Sequence, residues 1–144
     1  MRETQSDLKN EADILGRFCQ SMKCEWAKLG NGGKYRIDSV LFRGNIPVAW
    51  VEVKDYKAGL FLGLNVPKYI EGCELSNYTQ IPFFLLFRHE GEIGYLKIHN
   101  GAWPHAEARL LMAGGTPKGR QPLPDDVEPM FLFDDSQVEW LPNA

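Results

Sequence analysis

The sequence of 144 residues has little of what marks several large classes of protein. Its longest uninterrupted apolar run, Phe83 to Phe87, is far too short to cross a bilayer. The N-terminus is polar and mixed in charge, which is not the pattern of a signal peptide. Ordinary apolar content and mixed charge predict a soluble, cytoplasmic protein without a membrane partner, and the length predicts one domain over residues 1–144.

Residues of the kind that hold zinc or form disulfides are also sparse. The three cysteines form no Cys-x-x-Cys pair and the three histidines have no recognisable ligand spacing: Cys19, Cys24, Cys73, His89, His99 and His105. An odd number of unpaired cysteines favours reduced intracellular thiols over a disulfide framework. A zinc site is not expected from these residues.

Basic charge is not in excess, because 16 Lys and Arg stand against 19 Asp and Glu, a net charge of −3. A protein that coats DNA by electrostatics alone is normally basic, so this class is disfavoured. A nuclease is less affected, since divalent cations and a local basic patch offset acidic ligands. The glycine-rich stretch 28–34, KLGNGGK, lacks the spacing of a nucleotide-phosphate loop and is predicted to be a turn.

The most informative stretch is residues 35–54, YRIDSVLFRGNIPVAWVEVK. Two runs of alternating, β-forming residues flank Arg43–Asn45, which predicts a β-hairpin. Because side chains alternate between the two faces of a strand, Glu52 and Lys54 share one face.

The position of Asp38 relative to Glu52 depends on the turn of this hairpin. A two-residue turn, Gly44-Asn45, would place Asp38 opposite Val51, on the wrong face for Glu52. An odd loop or a β-bulge would set Asp38 directly across from Glu52. We predict such an irregularity; the alternative is that Asp38 and Glu52 are ordinary surface charges, although a Glu between two valines in a strand needs a reason.

An amphipathic helix is predicted over residues 4–24, where apolar side chains recur at helical spacing. Glu11 falls inside the apolar arc, where a carboxylate is costly unless something charged receives it. Two interpretations are open: Glu11 reaches solvent from a frayed edge, or it points at a metal site under the helix. The apolar arc consists of Leu8, Ala12, Leu15, Phe18, Cys19 and Met22.

After Lys54 the pattern predicts an irregular loop over residues 55–66, then a helix, a strand and a further strand. The helix spans Pro67–Thr79 with Asn65 as its cap, and the strands are Ile81–Phe87, covered on both faces, and Ile93–Ile98. A strand–helix–strand passage implies parallel pairing. The fold class is therefore α/β (α+β), with a mixed sheet of about five strands flanked by helices. Buried positions of the second helix are predicted to include Tyr69, Ile70, Cys73 and Leu75.

The C-terminal third carries weaker signals. Residues 106–112 are predicted to form a short helix and residues 114–126 a turn-rich loop with Lys118 and Arg120. Met130–Phe133 and Gln137–Leu141 are predicted to pair as a last hairpin. This hairpin and the segment 60–62, Leu-Phe-Leu, are candidate surfaces for a homodimer.

Glu11 in a helix, Asp38 on one strand and Glu52-Val53-Lys54 on the next resemble the PD-(D/E)xK nuclease superfamily, although Ile37 stands where the motif has proline. The resemblance covers residues 5–98 and leaves 99–144 as an extension. It implies a restriction-endonuclease-like core in the order αβββαβ or αββαββ. Among the branches, small phage and repair-type nucleases, the virus-type replication-repair group and Holliday-junction resolvases are most similar.

The resemblance also implies a Mg²⁺ or Mn²⁺ site and roles for named residues. Asp38, Glu52 and the Val53 carbonyl would be metal ligands, and Glu11 would bind a second metal or hold a metal-bound water. Lys54 would orient or deprotonate the attacking water or stabilise the phosphate. Lys68 would approach a phosphate from the second helix, and weaker candidates for DNA-backbone contacts are Lys57, Lys34 and Arg36; a solvated surface lysine or arginine is the alternative for each.

The function that follows is a divalent-metal-dependent DNA endonuclease or exonuclease in phage or cellular DNA replication, recombination or repair. DNA is the expected partner, and action on branched DNA would need a two-fold dimer. One alternative is a catalytically silent module of the same fold that binds nucleic acid or a protein, which the net acidity favours. Another is an unrelated α/β domain in which Glu-x-Lys is coincidental.

Overall fold

Two sheets and two long helices make up the fold. The structure, a computed structural model, describes residues 5–30, 33–57, 61–114 and 127–142. Six strands form a mixed sheet in the order β1-β2-β3-β5-β6-β9, and three form a second sheet in the order β4-β8-β7. The elements are α1 (Gln5–Met22), β1 (Glu25–Lys28), β2 (Ser39–Arg43), β3 (Ile46–Asp55), β4 (Gly63–Asn65), α2 (Val66–Thr79), β5 (Phe83–His89), β6 (Glu92–His99), β7 (Ala108–Gly114), β8 (Val127–Phe133), a 3-10 turn (Asp135–Gln137) and β9 (Glu139–Trp140).

The predicted fold class is confirmed. The order α1-β1-β2-β3-α2-β5 reproduces the αβββαβ core, and the main sheet has six strands where about five were expected. Strands β3 and β5 pair in parallel, as the strand–helix–strand passage predicts. In the described part of the chain, no helix is long and apolar enough to cross a membrane.

Helix α1 covers one face of the main sheet. Its periodic apolar side chains, Ile14, Leu15 and Phe18 among them, are buried against Val51 and Val53 of β3. The helix ends at a left-handed residue, Lys23 with φ of 56°, and the Cys24 amide donates back to the Cys19 carbonyl at 3.1 Å. This is the Schellman arrangement, which satisfies a carbonyl that the helix itself leaves unpaired.

Helix α2 covers the opposite face, and its start is fixed as predicted. The Asn65 side chain accepts from the Lys68 amide at 2.9 Å, and Pro67 lies in the first turn. The predicted burial of Ile70 is wrong, since 47% of it is exposed. Gly72 and Ser76 are the buried residues of the helix, and Gly72 lies so close to the Phe83 ring of β5 that no side chain fits between them.

Strand β5 is covered on both faces, which confirms the interpretation of its continuous apolar run. Leu86 packs with the α1 cluster, and Phe83, Leu85 and Phe87 pack with the α2 cluster. The neighbouring strand β3 therefore has one face under α1 and the other under α2. Because side chains alternate, Val51 and Val53 lie on the α1 face and Glu52 and Lys54 on the α2 face.

Predictions for the C-terminal third are mostly wrong. Residues 108–114 form strand β7 rather than a helix, because they pair along their length with β8. The predicted hairpin of 130–133 with 137–141 does not form: β8 lies between β4 and β7, and β9 pairs with β6. The short strand β4 lies within the predicted irregular loop 55–66, and no element had been predicted for most of the short strand β1.

The predicted dimer surface at residues 60–62 is also wrong where the structure describes it. Leu62 is 1% exposed and belongs to the core under α2, and Phe61 is half-buried in the same cluster. Leu60 lies outside the described residues, as does most of the predicted loop 114–126 with Lys118 and Arg120.

Candidate active site

The hairpin of β2 and β3 contains the predicted irregularity. Its turn is the two-residue one, Gly44-Asn45, with Arg43 paired to Ile46 and φ of 62° at Gly44. Phe42 then pairs with Pro47 but Leu41 pairs with Ala49, so Val48 is an extra residue on β3. The predicted bulge is thereby confirmed, and beyond it Ser39 pairs with Val51.

Asp38 immediately precedes Ser39, the residue of β2 that forms the last pair of this ladder, and it lies next to β3. Its Oδ2 accepts a hydrogen bond from the Val53 amide at 2.9 Å. Ile37 would be the ladder partner of Val53 if β2 continued, so the Asp38 carboxylate takes the place of a strand partner. A residue in a strand presents its N–H and C=O to the same side, so the Val53 carbonyl also points toward Asp38.

Glu52 is buried beside Asp38 on the α2 face of the sheet. The residue is only 3% exposed, and its Oε1 has no hydrogen-bond partner among the described residues. Burial raises the pKa of Glu52 to about 8, and the charge of Asp38 and a hydrogen bond with it act in the same direction. Lys68 and Lys54 oppose the shift without cancelling it.

Two lysines flank the carboxylates. Lys54 shares the strand face of Glu52, two residues further along β3, and is close enough to lower its pKa. Lys68 reaches the pair from the first turn of α2, with its Nζ 3.7 Å from Glu52 Oε1. The same ammonium donates a hydrogen bond to the Arg36 carbonyl. Asp38, Glu52, Lys54 and Lys68 are therefore brought together as the sequence predicted.

Glu11 is not among the groups brought together. Helix α1 lies on the face opposite Glu52, and the Glu11 carboxylate pairs with Lys28 at 2.7 Å, where β1 ends. Glu11 thus neither extends alone into solvent nor points at Glu52, because Lys28 of the neighbouring strand β1 binds its carboxylate. No cluster of three or more His, Cys, Asp or Glu side chains able to hold a metal occurs in the residues that the structure describes.

The weaker DNA-contact candidates divide into two places. Lys34 and Arg36, which precede β2, lie beside α2. Arg36 Nε is 3.6 Å from Glu71, and Lys34 lies over the rings of Tyr35 and Tyr78. Lys57 lies elsewhere, beyond the end of β3, with its Nζ 3.7 Å from Asp55.

Tyr56 is a site residue that the motif does not indicate. It follows Glu52 and Lys54 at the period of a strand, which is the one signal in the sequence. Its hydroxyl donates to the Gly63 carbonyl at 3.0 Å, and its ring packs edge-on against Phe61 and Phe87. Burial, and secondarily the charge of Glu52, raises the pKa of Tyr56, so this residue stays neutral.

Arg88 of β5 was likewise not indicated by the motif. Its guanidinium pairs with Asp13 of α1 at 2.7 Å and with Asp55 of β3 at 2.8 Å. It thereby connects α1 with β5 and with β3, the strand that carries Glu52 and Lys54. Nothing in its sequence context distinguishes it from an ordinary charged residue at the end of a strand.

The donor set at Asp38 and Glu52 fits a hard divalent cation. Two carboxylates and a backbone carbonyl offer oxygen only, and a buried carboxylate oxygen without a hydrogen-bond donor is the kind of atom that a cation would satisfy. A small set of protein ligands suits Mg²⁺ or Mn²⁺, which keep several waters when bound. Softer metals, which prefer cysteine and histidine, find none of those ligands here.

The fold is similar to that of a known nuclease. The solved structure of Hjc, a Holliday junction resolvase from the archaeal hyperthermophile Archaeoglobus fulgidus, superimposes with a TM-score of 0.51 over 62% of this chain and 75% of that chain. Sequence identity is 14%, so the likeness concerns the fold. A search of curated proteins found no match.

Sequence comparison covers nearly the whole chain. Residues 1–141 match a family model described as "Phage putative PDDEXK endonuclease". This match agrees with the αβββαβ order of the core. The chain belongs to this family of phage PD-(D/E)xK endonucleases.

Proposed function

We propose that the protein is a Mg²⁺- or Mn²⁺-dependent nuclease that hydrolyses phosphodiester bonds of DNA at Asp38, Glu52 and Lys54. The observation that carries the proposal is the bulge at Val48, which turns Asp38 to the same face as Glu52 and leaves a buried carboxylate oxygen without a hydrogen-bond donor. Both are explained if the two carboxylates share a cation.

Each residue then has a part in the chemistry. Asp38, Glu52 and the Val53 carbonyl would hold the metal, which when bound lowers the pKa of water and neutralises charge on the phosphate. Lys54 would orient the attacking water or stabilise charge on the phosphate. Lys68, whose Nζ lies 3.7 Å from Glu52, would contact a phosphate oxygen, and Arg36, Lys34 and Lys57 would contact the DNA backbone.

We also propose that Glu11 takes part in metal binding. Its partner Lys28 is the last residue of β1. The next residue, Leu29, donates its amide hydrogen bond to the Asp38 carbonyl at 2.9 Å. Glu11 is therefore at the same end of the sheet as the site. If the Lys28 pair opens, Glu11 could hold a second metal or a metal-bound water, and Glu11→Gln should then weaken Mn²⁺ binding.

The first test is metal binding by calorimetry. Wild type should bind Mn²⁺, and Asp38→Asn and Glu52→Gln should each lose most of the affinity because a ligand is removed. Glu90→Gln is the matched control, since it also neutralises a carboxylate but one that is 84% exposed on the turn between β5 and β6. Equal binding by wild type and both site variants would remove the metal site from consideration.

The second test is cleavage of plasmid and linear DNA with Mg²⁺ and with Mn²⁺. Lys54→Ala should reduce the rate by roughly 100-fold or more, the range for a group that acts in proton transfer or on developing charge. Circular dichroism should show the fold unchanged. A Lys54→Ala enzyme with wild-type rates would assign the lysine to the surface.

A catalytically silent module that binds nucleic acid or a protein is the second candidate. It is favoured by the ion pair of Lys68 with Glu52 and by the net charge of −3. The two candidates differ in one measurement: the silent module would bind DNA without cleaving it under any concentration of Mg²⁺ or Mn²⁺.

The biological role is proposed from the family and the fold together. A phage endonuclease with the fold of a junction resolvase fits phage DNA replication, recombination or repair in the cytoplasm of a host cell. Cleavage of both strands at a branch would need a homodimer with two-fold symmetry. Light scattering and a panel of branched, flapped, linear and single-stranded DNA would test this role.

A further inference from the structure

The side of helix α2 carries a row of cations that leads away from the candidate site. Lys68 lies beside Glu52 in the first turn, Arg36 lies one turn further along against Glu71, and Lys34 lies at the far end beside Tyr78. Residues 34–36, which precede β2, thus lie along the helix and line it with positive charge. Glu71, which faces Arg36, and the exposed Glu74 are acids of the same helix.

The exposed aromatic ring of Tyr78 lies at the far end of this row, where α2 is bonded to β3. Tyr78 is 74% exposed, the largest exposed fraction among the big hydrophobic side chains described, while Lys34 Nζ lies 5.8 Å from its ring centre and 5.3 Å from that of Tyr35. The adjacent Thr79 hydroxyl accepts from the Trp50 indole of β3 at 2.8 Å. This bond anchors the end of α2 to the strand that carries Glu52.

Cations followed by an open aromatic ring match the chemistry of single-stranded DNA. Phosphates pair with Lys and Arg, and bases stack on exposed rings with about 1–3 kcal/mol for each base. A base inside a duplex offers only its edges, so a ring such as Tyr78 can receive a base only from an unpaired strand. The positive charge alone would also suit an acidic peptide. The exposed ring favours a nucleic acid, because every base has a flat face that can stack on it.

We propose that the row from Lys68 to Tyr78 binds an unpaired DNA strand that leaves the cleavage site, with Lys34 on its phosphates and a base stacked on Tyr78. The proposal rests on the proposed nuclease function and specifies the class of DNA. The preferred substrate is DNA with a single-stranded tail or flap beside the scissile bond rather than continuous duplex.

The length of the row sets a length for the tail. Lys68 and Tyr78 are ten residues apart on one helix, a rise of about 15 Å. A stacked strand advances about 3.4 Å for each nucleotide, so Tyr78 lies roughly four to five nucleotides from the phosphate at Glu52. A tail of about two nucleotides would not reach the ring, and a tail of about six would pass it.

The experiment measures DNA affinity of the full chain by fluorescence anisotropy, with Ca²⁺ replacing Mg²⁺ so that binding is read without cleavage. The probes are one duplex in three forms: blunt, with a short tail and with a long tail of the lengths above, each tail on the 3′ or the 5′ strand. Wild type should bind the long-tailed form more tightly than the other two. Tyr78→Ala should reduce this preference by roughly 5- to 100-fold, and Tyr78→Phe should keep it because the ring remains.

Trp103→Ala is the control, since it removes an exposed ring, 63% accessible, in the turn after β6. It should keep the preference for the long tail. No preference in wild type, or a preference that Tyr78→Ala retains, would overturn the inference while leaving nuclease activity intact. If wild type binds none of the three forms and cleaves no DNA, the proposed function itself falls.

Discussion

Glu52 shows how a single residue can be costly to the fold and useful to the site. It lies in a strand between two buried valines, and it is itself as buried as they are. Placing a carboxyl group there disfavours its charged form, which is why its pKa rises to about 8. The sequence indicated this conflict, because Glu in such a strand needs a partner, but it could not show that one oxygen would have no donor.

Glu52 makes the metal-free protein less stable as the pH rises. The pKa of Glu52 in the folded state lies above its ordinary value of 4.5. The stability that depends on the neutral Glu52 carboxyl group is therefore complete below pH 4.5 and is lost as the pH rises through about 8. We expect Glu52→Gln to remove this slope. With chelator present, its midpoint of thermal unfolding should equal that of wild type near pH 5 and exceed it near pH 9.

The control for this pH series is Glu90→Gln, whose carboxylate is exposed. It should follow wild type at every pH. Mn²⁺ should abolish the advantage of Glu52→Gln at high pH, since a cation stabilises the ionised carboxylate only in wild type. A pH slope that is identical in wild type and Glu52→Gln would show that Glu52 titrates normally.

At the scale of elements, the hairpin that carries Asp38 depends on one extra residue. Insertion of one alanine after Val48, with a single-residue bulge retained, should turn Asp38 to face Val51, on the side of the sheet opposite Glu52. We expect loss of Mn²⁺ binding and of cleavage. Val48→Ala, which keeps the residue count, should retain both.

An insertion variant that still cleaves DNA would mean that the strands kept their pairing near Asp38 and that the bulge or the Gly44-Asn45 turn took up the added residue instead. Circular dichroism and thermal unfolding should accompany the measurement, because the shifted register also moves core side chains. Loss of cleavage counts for the site only if the variant unfolds cooperatively.

The contact of α2 with β5 gives a second prediction for an element. A methyl group on Gly72 would lie 2.1 Å from the buried Phe83 ring, so Gly72→Ala should cost roughly 1–3 kcal/mol of unfolding free energy and move Lys68 away from Glu52. Gly16→Ala in α1 has no atom within 4 Å of the added methyl. It should stabilise the protein by about 0.5–1 kcal/mol, since alanine is the better helix former.

Denaturant unfolding of the two variants measures both effects. Equal stability of Gly72→Ala and wild type would show that the helix and the strand can separate without cost, and the close approach would then not position Lys68.

Elements with a strong local pattern were predicted well, and those that depend on distant partners were not. Helix α2 has a cap and a proline in its own sequence, and β5 has a continuous apolar run. Apart from Gly114 at its end, strand β7 consists of Ala, Arg, Leu and Met, which are good helix formers, and it is a strand because β8 pairs with it. Strand β1 has four exposed residues and therefore no hydrophobic alternation to detect.

For the site, period-two alternation sufficed to predict that Asp38 needs an irregular hairpin to meet Glu52. It could not choose between a longer loop and a bulge, because Gly44-Asn45 fits a tight turn and Val48 fits a regular strand equally well. Glu11 was harder still. Its partner Lys28 comes from a strand that local sequence does not reveal, so the ion pair could not be foreseen.

At the scale of the whole molecule, strand β8 of the C-terminal third contributes side chains to the core. Phe133 is 4% exposed within the cluster under α2, and Phe131 stacks against Tyr69 of that helix with ring centres 4.2 Å apart. The division into a nuclease core over 5–98 and an extension over 99–144 is therefore useful for comparison with other nucleases. It does not describe how side chains pack.

A chain that ends at residue 100 should lose its cooperative unfolding transition or unfold at a much lower temperature, because removal of β7 and β8 uncovers apolar side chains of α2. A chain that ends at Pro142 should behave as wild type. Differential scanning calorimetry decides the matter: a shortened chain with the wild-type transition and Mn²⁺ affinity would show that residues 5–98 form an independent domain.

The bulge at Val48 also limits how relatives of this protein can vary. A two-residue turn with a regular ladder would bring Asp38 to Val51, so at the present spacing Asp38 faces Glu52 only because the hairpin contains one extra residue. A relative with one residue fewer between the two acids needs no bulge, and a relative with one residue more needs a second bulge or a longer turn. The pairing of the two carboxylates, rather than the length of the hairpin or the residues at its turn, is the property that selection for an active enzyme would preserve.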